Sequence, residues 1–441
     1  MAERKPAPGI IIAAPASGQG KTVVTLSIIR ALTQKGVRVA AAKIGPDYID
    51  PAFHAAAGGD PCFNLDPWPM RPETLVGLAG RLGQEAGLIV CEGVMGLFDG
   101  AADGRGSTAD LAAFTGWPVV LVVDVRGQGA SVAALLRGFL AHQRGVPFGG
   151  VILNRVGSPA HREILVQAID RARLGLPVLG CLLRDDALVL PDRHLGLVQA
   201  SEHPALEAFL DKAAALAAGS IDLQAFRSMS RRAPAGTVGA RPLPPLGQRI
   251  AVARDVAFAF SYTSVLEGWR AQGAELFFFS PLADEAPDGR ADAIYLPGGY
   301  PELHAGRLAG NGRFLGGLRD AAARGAAVFG ECGGYMVLGE GLVDESGARH
   351  AMAGLLPLET SFAERRLHLG YRVATVASDS PLGAASLSYT GHEFHYATVV
   401  REGPADPLFT VADAKVADLG RAGLVAGRVA GSFIHLIDRA E

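Results

Sequence analysis

Cysteine is scarce in this 441-residue chain: Cys62, Cys91, Cys181 and Cys332 lie far apart and form no CxxC pair. That spacing argues against a disulfide framework or a structural zinc site and suits a reducing, cytoplasmic setting. An excess of charge of one sign is also lacking. A net charge of -3 and a pI near 6.4 provide no electrostatic footprint for a polyanion, so nucleic acid is not an expected partner and small-molecule chemistry is. No apolar run approaches the roughly 18 residues needed to span a bilayer, so no membrane partner is expected. The apolar segment Gly9 to Ser17 has the length of a signal-peptide core, but it runs straight into a glycine-lysine loop and reads as a first β-strand.

What is present is apolar surface. Hydrophobic residues make up 49% and charged residues 19%, which excludes global disorder, and the length allows two or three domains. From residue 9 to about 220, strand-like runs (GIIIAA, VRVAAAKI, GLIVCEG, PVVLVVDV, FGGVILNRV, PVLGCLL) alternate with helical stretches. Near-continuous apolar runs imply strands covered on both faces, as in a parallel sheet, with function at their carboxyl ends. Periodicity fades near Arg227 to Gln248, a Pro-, Gly-, Ser- and Arg-rich stretch expected to be a flexible linker. A second α/β series follows, with strands in RIAVARD, ELFFFSP, DAIYLPG, AAVFGE and AGSFIHL and one more β-like stretch near HEFHYATVV. The expected organisation is two α/β domains, residues 1–225 and 249–441, joined by a linker at 226–248.

In the first domain, Pro15-Ala16-Ser17-Gly18-Gln19-Gly20-Lys21-Thr22 follows a strand and opens a helix, the setting in which backbone N–H groups and a helix N-terminus cradle phosphates. Pro15 replaces the first glycine of GxxxxGK[ST]. Gly18, Gly20 and Lys21 are expected at the nucleotide's phosphates, and Thr22 at magnesium. A glycine-rich cap alone does not account for a lysine and a hydroxyl placed together there. Lys43-Ile44-Gly45-Pro46-Asp47-Tyr48 ends the second strand, and Cys91-Glu92 ends the third, in a run reaching Asp99 and Gly100. Magnesium takes hard oxygen ligands, so Thr22, Asp47 and Glu92 form a candidate set, with Lys43 neutralising phosphoryl charge. Tyr48 and Asp99 are candidates for substrate or metal. Asn154 and Arg155, ending the VILN strand, are placed to meet the adenine and phosphates of ATP.

In the second domain, AAVFGECGGYM sets Cys332 between a strand and a helix, where glycines permit a sharp turn that exposes a nucleophile. A helix N-terminus and a nearby histidine are expected to lower its pKa toward thiolate. His435, after the late strand, is the candidate general base. Gly298 and Gly299 in LPGGYP would supply backbone N–H groups to an oxyanion.

Taken together, APASGQGKT, KIGPDYIDPAFH, CEGVMGLFDG, PDRHLGL, LPGGYPE with GECGGYM, and GHEFHY followed by SFIHL resemble the cobyrinate or hydrogenobyrinate a,c-diamide synthases of corrinoid biosynthesis, in order and over nearly the whole chain. The resemblance implies a dethiobiotin-synthetase-like, parallel-sheet P-loop domain fused to a flavodoxin-like class I glutamine amidotransferase domain. It implies that ATP phosphorylates a peripheral acetate of the tetrapyrrole and that Cys332 forms a glutamyl thioester and releases ammonia, which displaces the phosphate. It places Lys21, Thr22, Asp47 and Glu92 at ATP and magnesium, and Tyr48 and Asp99 nearer the macrocycle. The wider class I pattern has a glutamate two residues after its histidine, where Ile437 stands here. The expectation is therefore a Cys-His dyad, helped by Asp438 or by a carboxylate from elsewhere.

The implied partners are a corrinoid substrate, ATP and L-glutamine, with Mg2+ as cofactor; a homodimer is compatible with the sequence. Three alternatives stand beside this reading: a nickel-sirohydrochlorin a,c-diamide synthase, a cobyric acid synthase, whose substrate loops differ from PDYIDP and CEGVMGLFDG, and a P-loop ATPase binding module with an inactive glutaminase half. Arginine outnumbers lysine 35 to 6, which leans weakly toward the cobalt-free ring.

Overall fold

The computed structural model describes residues 7–84, 86–193, 196–233 and 243–440. The chain divides into two compact units, Met1–Trp68 with Pro72–Ala240, and Pro69–Arg71 with Arg241–Glu441.

The first unit is built on a parallel sheet. In spatial order its strands are Phe63–Leu65, Val39–Ile44, Leu88–Glu92, Pro8–Ala13, Val119–Asp124, Phe148–Val156 and Val178–Leu183. Val39–Ile44, Leu88–Glu92 and Val119–Asp124 are buried at every position, which explains why they read as unbroken apolar runs. Trp117, fully buried, fills the space over Gly9; a Cβ at Gly9 would lie 2.4 Å from the indole. Part of the expected linker is ordered into this unit: Leu223–Ser228 is helical, and Arg231–Arg232 pairs antiparallel with Pro8 and Gly9. Residues 234–242 of it lie outside the described residues, as do His194 and Leu195 of the PDRHLGL motif, and 243–248 belong to the second unit, with Leu243 and Leu246 buried.

The second unit carries a ten-stranded sheet. Its parallel half has the spatial order Glu275–Phe279, Arg249–Ala253, Ala293–Leu296, Ala327–Glu331, Val429–Ser432, the 2-1-3-4-5 order of a flavodoxin-like sheet. Its antiparallel half continues through Asp418–Ala426, Asp406–Asp413, His368–Val376, Ser388–His395 and Ile434–Arg439. A separate four-stranded sheet holds Gly341–Val343 and Leu358–Ser361. The AGSFIHL run, expected as one strand, is two: Val429–Ser432 pairs with Ala327–Glu331, and Ile434–Arg439 leaves to pair with Ser388–His395. Ser432 makes the break. Its backbone carbonyl accepts the Cys332 N–H at 2.8 Å, and its hydroxyl accepts the Ile434 N–H at 3.1 Å. Among the described residues no helix is long and apolar enough to cross a membrane.

Candidate functional site

In the first unit the carboxyl ends of the central strands gather the polar groups. Gly20 has φ +88° and leads into the helix Lys21–Gln34. A Cβ at Gly20 would lie 2.4 Å from Nδ2 of Asn154, which donates to the Gln19 carbonyl at 2.8 Å, while Arg155 donates to the Gly18 carbonyl at 2.8 Å. Asn154 and Arg155 thus shape the loop from the neighbouring strand end. They also line, with Arg126, Asp186 and Leu188, a cavity of about 270 Å³ beside Gly20. Lys21 donates to the carbonyl of Met95 at 2.5 Å, a carbonyl aimed by the left-handed backbone of Met95 (φ 45°). Burial lowers the Lys21 pKa.

Behind the loop lies a buried ionic cluster. Lys43 Nζ reaches Asp50 at 2.6 Å and Glu92 at 3.0 Å, Thr22 donates to Glu92 at 2.8 Å and to Asp50 at 3.4 Å, and His54 Nε2 lies 2.7 Å from the other Glu92 oxygen. Burial alone would raise the Glu92 pKa, but Lys43 and the bonds from His54 and Thr22 hold it well below the carboxylate range. Asp50 goes the other way: burial and the neighbouring Asp47 charge raise it to about 7. Asp47, expected beside magnesium, uses Oδ1 to accept the N–H groups of Ile49 and Asp50, and its Oδ2 stands 3.8 Å from Lys43. The aspartate that meets Thr22 is Asp50. Asx-turn chemistry is common where an Asp precedes a helix, and the PDYID run contains two candidates, so spacing alone did not separate cap from ligand. Asp99 accepts the Gly96 N–H at 2.8 Å within its own loop, and Tyr48 is half-buried in the turn before the helix Asp50–Gly58. Hard oxygens at Thr22, Asp50 and Glu92, beside a phosphate loop, suit a magnesium ion by donor chemistry.

In the second unit Cys332 ends the strand Ala327–Glu331 with φ 48° and ψ -103°, a strained turn that a β-strand-to-helix nucleophile requires. Glycines are needed around it because there is no room: a Cβ at Gly334 would stand 2.0 Å from the Leu296 carbonyl. A Cβ at Gly298 would stand 2.5 Å from Cε1 and 3.2 Å from Nε2 of His435, and 3.3 Å from Cβ of Cys332. Cys332 and the His435 ring therefore border the same glycine, with Cε1 nearest it and Nε2 next. The Gly299 nitrogen lies 3.1 Å from where a Gly333 Cβ would be, so both expected donors border the elbow.

Burial opposes the thiolate expectation. Cys332 is 3% exposed, and burial, reinforced by the Glu302 charge and only partly opposed by the Gly333 N–H, pushes its pKa well above the free thiol. His435 is 1% exposed, and burial together with His392 and His395 pushes it down to about 3. Both shifts favour thiol and neutral imidazole over the charged pair. The six-residue helix Gly333–Leu338 does not offset this desolvation.

Asp438 does not serve His435: its carboxylate accepts the Arg71 N–H at 2.9 Å and the Arg71 guanidinium at 2.9 Å, within the unit that includes Pro69–Arg71. A carboxylate beside His435 is Glu331, with Oε2 3.8 Å from Nδ1. It was legible in the GECGG motif, but a partner sought downstream of the histidine is not found next to the cysteine. His368, Glu393 and His395, in and beside the GHEFHY motif, bring possible ligand atoms within 4.8 Å of one another. Arg372 binds Glu393 at 2.7 Å, and the His368 and His395 rings stack in parallel at 4.7 Å, so this cluster is already a charge-balanced ion-pair network.

Residues 10–198 match the CobQ/CobB/MinD/ParA nucleotide binding domain, and residues 249–441 match the CobB/CobQ-like glutamine amidotransferase domain. The chain is 58% identical to a hydrogenobyrinate a,c-diamide synthase of Sinorhizobium sp over 98% of this chain and 99% of that protein. It is 58% identical to the one from Brucella abortus over 98% of each chain, and 55% identical to the one from Rhodobacter capsulatus over 97% of this chain and 98% of that protein.

Proposed function

The chain belongs to the hydrogenobyrinate a,c-diamide synthase family, and on that premise we propose that it amidates the a- and c-acetate groups of hydrogenobyrinic acid with ATP and glutamine, in cobalamin biosynthesis. The observation that carries the proposal is the presence in one chain of both halves of the chemistry. One is a phosphate loop backed by Lys43, Asp50 and Glu92; the other is a strained Cys332 elbow flanked by His435. An inactive glutaminase scaffold would have no use for that strained turn.

In the synthetase half, Gly18, Gly20 and Lys21 hold the ATP phosphates, and Asn154 and Arg155 frame the nucleotide. Lys43 offsets charge as an acetate oxygen attacks the γ-phosphorus and ADP leaves. Thr22, Glu92 and Asp50 would hold Mg2+, with Asp47 beside them; when bound, the ion supplies charge neutralisation at the phosphates. Tyr48 and Asp99 lie toward the corrinoid. The acyl phosphate carries a good leaving group, and ammonia displaces phosphate to give the amide.

In the glutaminase half, His435 Nε2 takes the Cys332 proton, and the sulfur attacks the glutamine side-chain carbonyl. The N–H groups at Gly298 and Gly299 face the developing oxyanion, and His435 returns the proton to the departing ammonia. Water then hydrolyses the glutamyl thioester. The residues 1–225 and 249–441 would divide these tasks, and an assembly of two chains is compatible with them.

Product formation from hydrogenobyrinic acid, followed by mass spectrometry, tests the assignment. Cys332→Ser should lose diamide formation with glutamine and keep it with ammonium salts; glutamine-driven amidation by that variant would overturn it. Cobyrinic acid and nickel-sirohydrochlorin offered alongside test the choice of ring.

A further inference from the structure

We propose that Glu331 is the positioning carboxylate of the glutaminase dyad, standing at Nδ1 of His435 and stabilising the imidazolium that forms when Nε2 takes the Cys332 proton. This rests on the glutaminase reading above and names the group that fills the place Ile437 leaves open.

The geometry comes from one short segment. Glu331 is the last residue of the strand Ala327–Glu331 and is 4% exposed. Its Oε1 accepts the backbone N–H of Leu436, the residue after the base, at 3.0 Å. Its Oε2 accepts the Tyr295 hydroxyl at 2.6 Å and lies 3.8 Å from His435 Nδ1. The carboxylate is thereby tied to the strand that carries the histidine and fixed relative to the ring. At 3.8 Å the contact is longer than a hydrogen bond and becomes an ion pair when His435 takes the proton, and catalytic contacts of this kind tighten when substrate is bound. The ring edge Cε1–Nε2 borders Gly298, beside Cβ of Cys332, while Nδ1 is the nitrogen near Glu331, so Nε2 is left for the thiol, the arrangement a relay of one proton needs.

The charges around the pair support the assignment. Tyr295 faces Glu331 from the adjacent strand, and Tyr262 lies near Tyr295. Tyr389 lines a small cavity with Tyr295 and Glu331 and donates to the Leu382 carbonyl. His435 is faced by His392, His395 and Glu393, and Cys332 by Glu302, Glu331 and Glu393, so the Glu331 charge that favours the imidazolium also opposes the thiolate. Glu393 is already neutralised by Arg372 and His395. Glu331 stands at ion-pair distance from His435. Burial, against the bonds from Tyr295 and Leu436, pushes Glu331 up to about 7, so it ionises within the working range and glutamine turnover should rise through that pH.

The test uses the full chain with ATP and hydrogenobyrinic acid, measuring glutamine-dependent and ammonia-dependent amidation from pH 5.5 to 9, limits set about 1.5 to 2 pH units either side of the Glu331 titration. Glu331→Gln keeps the shape and removes the charge. It should lower kcat for glutamine by about 100-fold or more, leave KM for glutamine and the ammonia-dependent rate unchanged, and abolish the ascending limb near pH 7. Glu331→Asp, which keeps the charge, should recover part of kcat. Near-ultraviolet circular dichroism of each variant checks that the site has folded. Wild-type kcat with an unchanged pH profile in Glu331→Gln would overturn the proposal, as would equal loss in the Asp and Gln variants. Retained glutamine use in Cys332→Ser would instead sink the glutaminase reading, whatever Glu331 does.

Discussion

Replacing Gly298 by alanine tests the geometry of the glutaminase site with one methyl group. The added carbon would stand 2.5 Å from Cε1 of His435, against an ordinary carbon–carbon separation of about 3.5 Å, so the ring must recede by about 1 Å. It has little freedom to do so. His435 is 1% exposed and its strand is paired with Ser388–His395, His392 directly opposite. A displacement of about 1 Å at a reacting group costs on the order of 100-fold in rate, so Gly298→Ala should lower glutamine-dependent kcat by about that factor. The ammonia-dependent rate, which bypasses Cys332, should not change. Gly316→Ala is the control: it lies in the helix Gly312–Ala323 with nothing within 4 Å of the new carbon, and it should keep full activity and gain up to about 1 kcal/mol of stability. Glutamine turnover at the wild-type rate in Gly298→Ala would refute the placement of His435 and Cys332 on either side of this glycine.

Two further outcomes concern buried charge. Lys43→Met leaves Asp50 and Glu92 facing each other without their cation at 3% exposure, and urea unfolding should show a loss of about 3–5 kcal/mol together with loss of ATP-dependent amidation. Glu331 has a folded pKa of about 7 against an ordinary 4.5, so its favourable contribution is complete below pH 4.5 and is lost as pH rises through 7. Glu331→Gln should therefore gain on the wild type between pH 5 and pH 8, by up to about 3 kcal/mol in urea unfolding; a pH-independent difference would place the titration elsewhere.

Much of the first unit was legible because its strands are buried on both faces and its loops carry their chemistry in contiguous motifs. GIIIAA, PVVLVVDV and FGGVILNRV announce themselves by composition, and Lys21 and Thr22 by their place after a strand. The short strand Phe63–Leu65 is too brief to have a pattern. The antiparallel half of the second sheet was largely hidden for a physical reason. Asp418–Ala426 is exposed over much of its length and contains Gly420 and Gly423 in left-handed conformations, and Asp406–Asp413 contains Pro407, so pairing partners rather than local propensity make them strands. Cys332 and His435 are marked by motif, and the structure brings them to the same glycine. Burial opposes the expected thiolate, because a sequence shows the helix after a cysteine but not the depth at which the cysteine lies. Asp50 and Glu331 stand next to residues that were found, and only three-dimensional contacts distinguish a cap or a strand-end acid from a working carboxylate.

The cost of charging the dyad sets what the site must supply. With the Cys332 thiol pushed up and His435 pushed down to about 3, thiolate–imidazolium is an uphill state, and burial is the first cause of both shifts. A carboxylate 3.8 Å from the ring attracts the imidazolium by about 4 kcal/mol at an effective dielectric near 20, while the same charge opposes the Cys332 thiolate, so the charged pair gains the difference between the two. Glu331 must be ionised to provide it, and the Tyr295 hydroxyl and Leu436 N–H are the two bonds that favour the ionised form against burial. The strand end Gly330 to Gly334 thus delivers the nucleophile and the counter-charge of its base from adjacent residues. A glutamate downstream of the histidine is then unnecessary, and Ile437, 1% exposed, is free to pack in the core.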